Sequence, residues 1–181
     1  MDLTWTAYPD IDLSAAGVCE AIRAAGVKTQ MSGQEFQVSD LAAAQAAVAA
    51  HDPVAVLRGV AVAATEAQYD GVIAAGFAYQ GKLFQIDDGS RQDMAAIGAM
   101  ALGSIRDPDG SPWSAGFYWI AADNSEVPMS AAEAYAFTFA AGAYVSSCIL
   151  YCRALKNHIL AAGTADAVAA VDVAAGWPAS Q

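Results

Sequence analysis

The chain has 181 residues, 56% of them hydrophobic, with alanine rather than leucine or isoleucine supplying the excess, a composition that favours helices packed closely through small side chains. Its 19 acidic and 8 basic residues give a formal net charge of −11, which repels nucleic-acid phosphates and anionic lipid headgroups and removes nucleic acid from the expected partners. Cys19, Cys148 and Cys152 are odd in number and lack zinc-type spacing, so they read as small buried apolar residues in a reducing compartment, without a disulfide framework.

The first residues, Met1 to Asp12, contain Asp2, Asp10 and Asp12 and no basic segment followed by an apolar run. No secretory signal is expected there. Leu13 to Ala25 carries apolar residues at Leu13, Val18, Ile22 and Ala25, with Gly26 as a stop, and predicts a short helix. Thr29 to Val38 reads as two short strands about a turn at Ser32-Gly33. Ser39 or Asp40 then caps an alanine-rich helix, Leu41 to Ala50, which ends before Asp52-Pro53.

Pro53 suits a first helical position, and a long helix is predicted from it to Ala75, with Gly76 as its stop. Phe77-Ala78-Tyr79, Gln80-Gly81 and Lys82 to Ile86 spell strand, tight turn and strand. Asp87, Asp88 and Ser90 stand before a helical pattern, Arg91 to Leu102, and read as helix-start residues. Gly103 to Ser114 contains the turn Asp107-Pro108-Asp109-Gly110, and Phe117 to Ile120 is an aromatic strand that ends at Asp123-Asn124. Ser130-Ala131-Ala132-Glu133 is a capping box, so a long helix begins there and runs to Ala162 with Gly163 as its end. A softer Ala/Val segment, Ala165 to Ala175, precedes Gly176-Trp177-Pro178. The expected fold is mainly α with short β-hairpins, an α+β chain. It divides into a small N-terminal α+β unit (1–52), a linking helix (53–75) and a C-terminal helical unit (76–181).

The long helix holds two apolar lines. Phe137, Ala141, Tyr144, Cys148, Tyr151 and Leu155 recur in steps of four and three, a heptad-like seam. Tyr135, Phe139, Val145, Ile149, Cys152 and Ile159 form the second, so this helix must be covered on more than one side. Both lines suit the core of one chain, and either suits a neighbouring chain. The seam together with Trp113 and Trp119 supplies the candidate interface residues, with Trp113, Trp119, Tyr144 and Tyr151 as aromatic anchors. Ala134 to Cys152 also approaches spanning length without a charge, but its Thr138, Gly142, Ser146 and Ser147 and its scarcity of leucine argue against a membrane partner.

The supply of catalytic side chains is thin. His51 stands in His51-Asp52-Pro53, where turn duty is expected, and His158 lies beyond Cys152 on the long helix. Cys148 and Cys152 offer two thiols one turn apart but no further ligands. Asp87-Asp88 and Asp123-Asn124 lack the alternating acidic loop of a calcium site. No phosphate-binding glycine loop, nucleophile elbow or zinc-protease motif occurs. The expectation is a protein that is not an enzyme and has no metal and no cofactor.

Gly76-Phe77, Tyr79 to Asp87, Ser90-Arg91, Trp119 to Asn124, Arg153 to Lys156 and Gly176-Trp177-Pro178, in that order and spacing, resemble a domain of unknown function that recurs at the C-terminal end of tailed-bacteriophage tail and tail-fibre proteins. The resemblance covers about residues 76–178. It implies a virion structural protein of the phage tail, baseplate or fibre attachment, made in the host bacterial cytoplasm. Its implied partners are other phage tail proteins and further copies of itself, three by analogy with fibre symmetry. A tail-fibre assembly factor absent from the mature particle is the alternative. The chain departs from a tail fibre in having no extended shaft, which puts host-receptor recognition in doubt.

Overall fold

A computed structural model describes residues 3–9 and 11–180; Asp2 and Asp10, part of the acidic start, lie outside the described residues. The elements run β1 (Thr6–Ala7), α1 (Val18–Ala24), β2 (Thr29–Ser32), β3 (Glu35–Val38), α2 (Leu41–Ala50), α3 (Pro53–Ala75), β4 (Phe77–Tyr79) and β5 (Lys82–Phe84). Then follow α4 (Asp88–Arg106), β6 (Tyr118–Ile120), β7 (Glu126–Pro128), α5 (Ala131–Ala161) and α6 (Ala165–Ala169). The chain is a mainly helical α+β protein with small antiparallel sheets. Two compact units are formed, one from residues 1–62 and 159–171, the other from 63–158 and 172–181.

In the first unit β3 lies between β1 and β2, with Thr29 opposite Val38 and Met31 opposite Phe36. This register turns Phe36 and Val38 to one face, where they pack with Ile22, Val27 and Ala44. The predicted first helix starts later than expected, at Val18. Asp12 accepts from the Ser14 amide at 2.9 Å and Gly17 takes a φ of 78°, so local side-chain bonding and left-handed backbone hold Leu13 to Gly17 in turns. Asp40, not Ser39, caps α2, accepting from the Ala43 amide at 3.0 Å, while the Ser39 hydroxyl accepts from the Lys28 amide. Arg58 donates twice to the Ala162 carbonyl, at 2.9 and 2.6 Å, placing a cation at the carbonyl end of α5.

In the second unit β4 and β5 pair about Gln80-Gly81, both at positive φ (49° and 77°), which gives the strands a two-residue turn matched to their twist. Asp87 caps α4, accepting from the Ser90 amide at 3.0 Å. That helix starts earlier and ends later than the apolar pattern alone implied, because Asp87 satisfies its first turn and Gly103 is tolerated inside it. The Asp123-Asn124 turn joins β6 to β7, and Trp119 faces Val127. Ser130 and Glu133 exchange their capping bonds as expected: the Ser130 amide donates to Glu133 Oε2 at 2.8 Å and the Glu133 amide to Ser130 Oγ at 3.4 Å. The segment Ala165 to Ala175 is helical only through Ala169.

Candidate functional site

Phe137 is the hub of the second unit's core. It is 0% exposed, and its ring meets Phe84 at 4.6 Å, Trp119 at 5.4 Å, Tyr79 at 5.5 Å and Phe77 at 6.3 Å. Ala134, Ala141 and Val145 continue the same cluster along α5. Phe137, Ala141 and Cys148, expected as interface residues, are therefore interior ones. The two hairpins and α4 cover Phe137 and Ala141 within the chain, so these two side chains offer no surface to another protein.

The other candidates are half-buried and already engaged. Trp113 Nε1 donates to the Met129 carbonyl at 3.0 Å, and its ring meets Phe117 edge-on at 4.9 Å. Trp119 packs on Phe137, and Tyr144 lies 5.4 Å from Phe77. Tyr151 donates to the Ala175 carbonyl at 2.8 Å and meets Trp177 at 5.2 Å, so the Gly-Trp-Pro segment is tied to α5. Leu155 is half-buried. Burial raises both the Tyr144 hydroxyl and the Cys148 thiol above their usual titration ranges.

What remains outside is a row of the second line and its neighbours. Phe139 is 68%, Leu150 70%, Ile149 51% and Tyr135 36% exposed, while Val145 and Ile159 of that line are buried. The row is flanked by a cleft of 290 Å³ against α4, lined by Met94, Gly98, Tyr135 and Phe139, and by one of 730 Å³ against α3, lined by Glu66, Tyr69, Asp70 and Leu150. Periodicity reveals both apolar lines but not their directions, since the choice is made by Phe77, Phe84 and Trp119 from distant segments. α5 is long and apolar enough to cross a membrane, and 28% of its most apolar stretch is buried within the protein.

The polar groups hold turns and helix starts. His51 Nε2 lies 2.6 Å from the Ala16 carbonyl, to which it can only donate. Asp88 pairs with Arg91 at the start of α4. Cys148 and Cys152 are free thiols, and no group of three or more possible metal ligands occurs among the described residues. Among the described residues Asp123 is the most perturbed acid: the Ser125 hydroxyl, then the Lys82 ammonium at 2.9 Å, then the Ser125 amide hold its carboxyl far below the usual range. A depressed carboxyl contributes stability above its unfolded value of about 3.9, and the contribution is lost as pH falls through the folded value. Carbon-detected titration should place the Asp123 midpoint well below 3.9. Lys82→Met should raise it only part of the way, because Ser125 is the larger cause; an ordinary midpoint in the parent would overturn this assignment.

Residues 56–175, about two thirds of the chain, match the family described as a domain of unknown function, DUF4376. The chain belongs to this family. The family segment starts inside α3, ahead of the resemblance at residue 76, and reaches past α6. It contains both hairpins of the second unit and all of α5. No curated protein and no solved structure matches the chain.

Proposed function

We propose that the protein is a structural component of a bacteriophage virion, a tail, baseplate or tail-fibre attachment protein, and that it works without catalysis through contacts with other tail proteins and with copies of itself. The observation that carries the contact role is the apolar row on α5: Phe139, Ile149 and Leu150 are all more than half exposed, an arrangement associated with protein–protein surfaces. The tail location rests on the resemblance of Tyr79 to Asp87, Trp119 to Asn124 and Gly176 to Pro178 to tail and tail-fibre sequences. The net charge of −11 supports protein over nucleic-acid partners.

Quantitative mass spectrometry of gradient-purified particles from a phage encoding the chain tests the location. The protein should be present at a fixed copy number per particle. Absence from particles, with co-purification of a tail fibre from the infected cell, would instead assign it as an assembly factor. Absence from both would sink the tail reading.

A further inference from the structure

The exposed row on α5 has the symmetry of a self-complementary surface. Tyr135, Phe139, Gly142, Ser146, Ile149, Leu150 and Arg153 fall in one stripe roughly 100° wide on the helix, opposite the line through Phe137, Ala141 and Cys148 that faces the core. About the level of residue 144 the large apolar Phe139 and Ile149 are symmetry mates, and so are the small Gly142 and Ser146, while Leu150, whose mate is Thr138, falls outside the pattern. Large apolar residues lie at each end of the stripe's central part, and Gly142 and Ser146, both exposed, lie between them. No side chain or backbone atom stands within 4 Å of where a Cβ on Gly142 would be.

The geometry points to a second copy of this chain as the occupant, its α5 laid antiparallel across the first about a two-fold axis at residue 144. In that register Phe139 faces Ile149 of the other copy, Gly142 faces Ser146, and Tyr135 faces Arg153. Each contact occurs twice, as a closed two-fold interface requires. The small residues at the crossing let the helices approach closely, as small residues do wherever backbones pack. Tyr135 and Arg153 are a ring and a guanidinium, which attract.

Along the stripe itself, charge does not oppose that partner. From Ala134 to Ala161 the helix has no carboxylate, in a chain of 19 acidic residues, so two copies meet here without opposing acids along the stripe. The rim is charged: Arg91 lines one flanking cleft and Glu66 and Asp70 the other, with Glu66 paired to Lys156. An apolar centre with a polar rim is the ordinary anatomy of an interface. Two such stripes laid against one another make a small interface, near the lower bound of about 1,000 Å² for a specific one. An interface of that size fits a reversible dimer whose population rises with concentration. A two-fold pair departs from the threefold copy number suggested by fibre symmetry.

This inference rests on the reading of the chain as one that acts through protein contacts, but purified protein tests it independently of any virion. Sedimentation of the full chain across a range of concentrations should show a monomer–dimer equilibrium. Phe139→Lys alone and Ile149→Glu alone should each weaken the dimer at least tenfold while keeping the parent's circular dichroism and melting temperature, since both side chains are exposed. Mixing the two variants should restore a heterodimer, because the positive charge brought by Phe139→Lys in one copy would then face the negative charge brought by Ile149→Glu in the other. A monomer at every concentration, a trimer, or a dimer untouched by both substitutions would overturn the proposal. So would recovery of the parent on neutral phosphatidylcholine vesicles with no dimer in solution, which would assign the face to a membrane. Well-folded variants that fail to recombine would overturn the register.

Discussion

Phe137→Ala is expected to cost the second unit about 3–5 kcal/mol, the range for deleting a fully buried phenylalanine. Four aromatic rings from three separate stretches of chain close on this side chain, at 4.6 to 6.3 Å between centroids. The hairpins therefore cannot follow the truncation without giving up their own pairing. A loss of that size is comparable with the whole stability of many domains, about 5–15 kcal/mol. Phe139→Ala, two positions along the same helix, is expected to change stability by no more than about 0.5 kcal/mol, because its ring is 68% exposed. Urea unfolding followed by tryptophan fluorescence suits the comparison, since Trp113, Trp119 and Trp177 all lie in this unit. Equal effects of the two substitutions would mean that α5 faces the core by its other line, and the docking surface would fall with it.

The contrast between these two phenylalanines is not written in the local pattern of the sequence. The start of α5 was legible because a capping box is chemistry among neighbours: Ser130 and Glu133 need only each other's backbone. The β4–β5 hairpin was legible for the same reason, its turn residues sitting between short alternating strands. β1 and β7 left no such signal, because two- and three-residue strands are held by the partners they meet, β3 and β6, and not by their own alternation. α1 was misplaced at its start because Leu13 fits a helical period while Asp12 and Gly17 fix the backbone otherwise. For the candidate surface, aromatic and heptad-like residues suit interface anchors and core alike. Exposure separated them, and it favoured Phe139, Ile149 and Leu150 over Phe137, Ala141 and Cys148.

Gly76→Ala is the second substitution with a large expected effect, about 2–4 kcal/mol, and it probes the junction of α3 with the β4–β5 hairpin. Gly76 ends α3 at a φ of 88°, and its amide donates to the Ile73 carbonyl at 3.1 Å. A Cβ built there meets the Phe84 carbonyl oxygen at 2.7 Å. That oxygen belongs to backbone, in the strand residue whose ring lies against Phe137, so it cannot swing aside as a side chain would. Left-handed backbone alone costs an alanine about 1–2 kcal/mol, and the contact adds to it. Gly81→Ala provides the control: Gly81 also has positive φ, at 77°, but nothing stands within 4 Å of its added Cβ. Only the conformational cost should appear there, about 1–2 kcal/mol. If thermal unfolding finds Gly76→Ala no worse than Gly81→Ala, the close approach of α3's end to β5 does not exist in solution. If Gly76→Ala is the more damaging by a kilocalorie or more, the glycine is required for space as well as for φ, and the hairpin is clamped to α3 at that point.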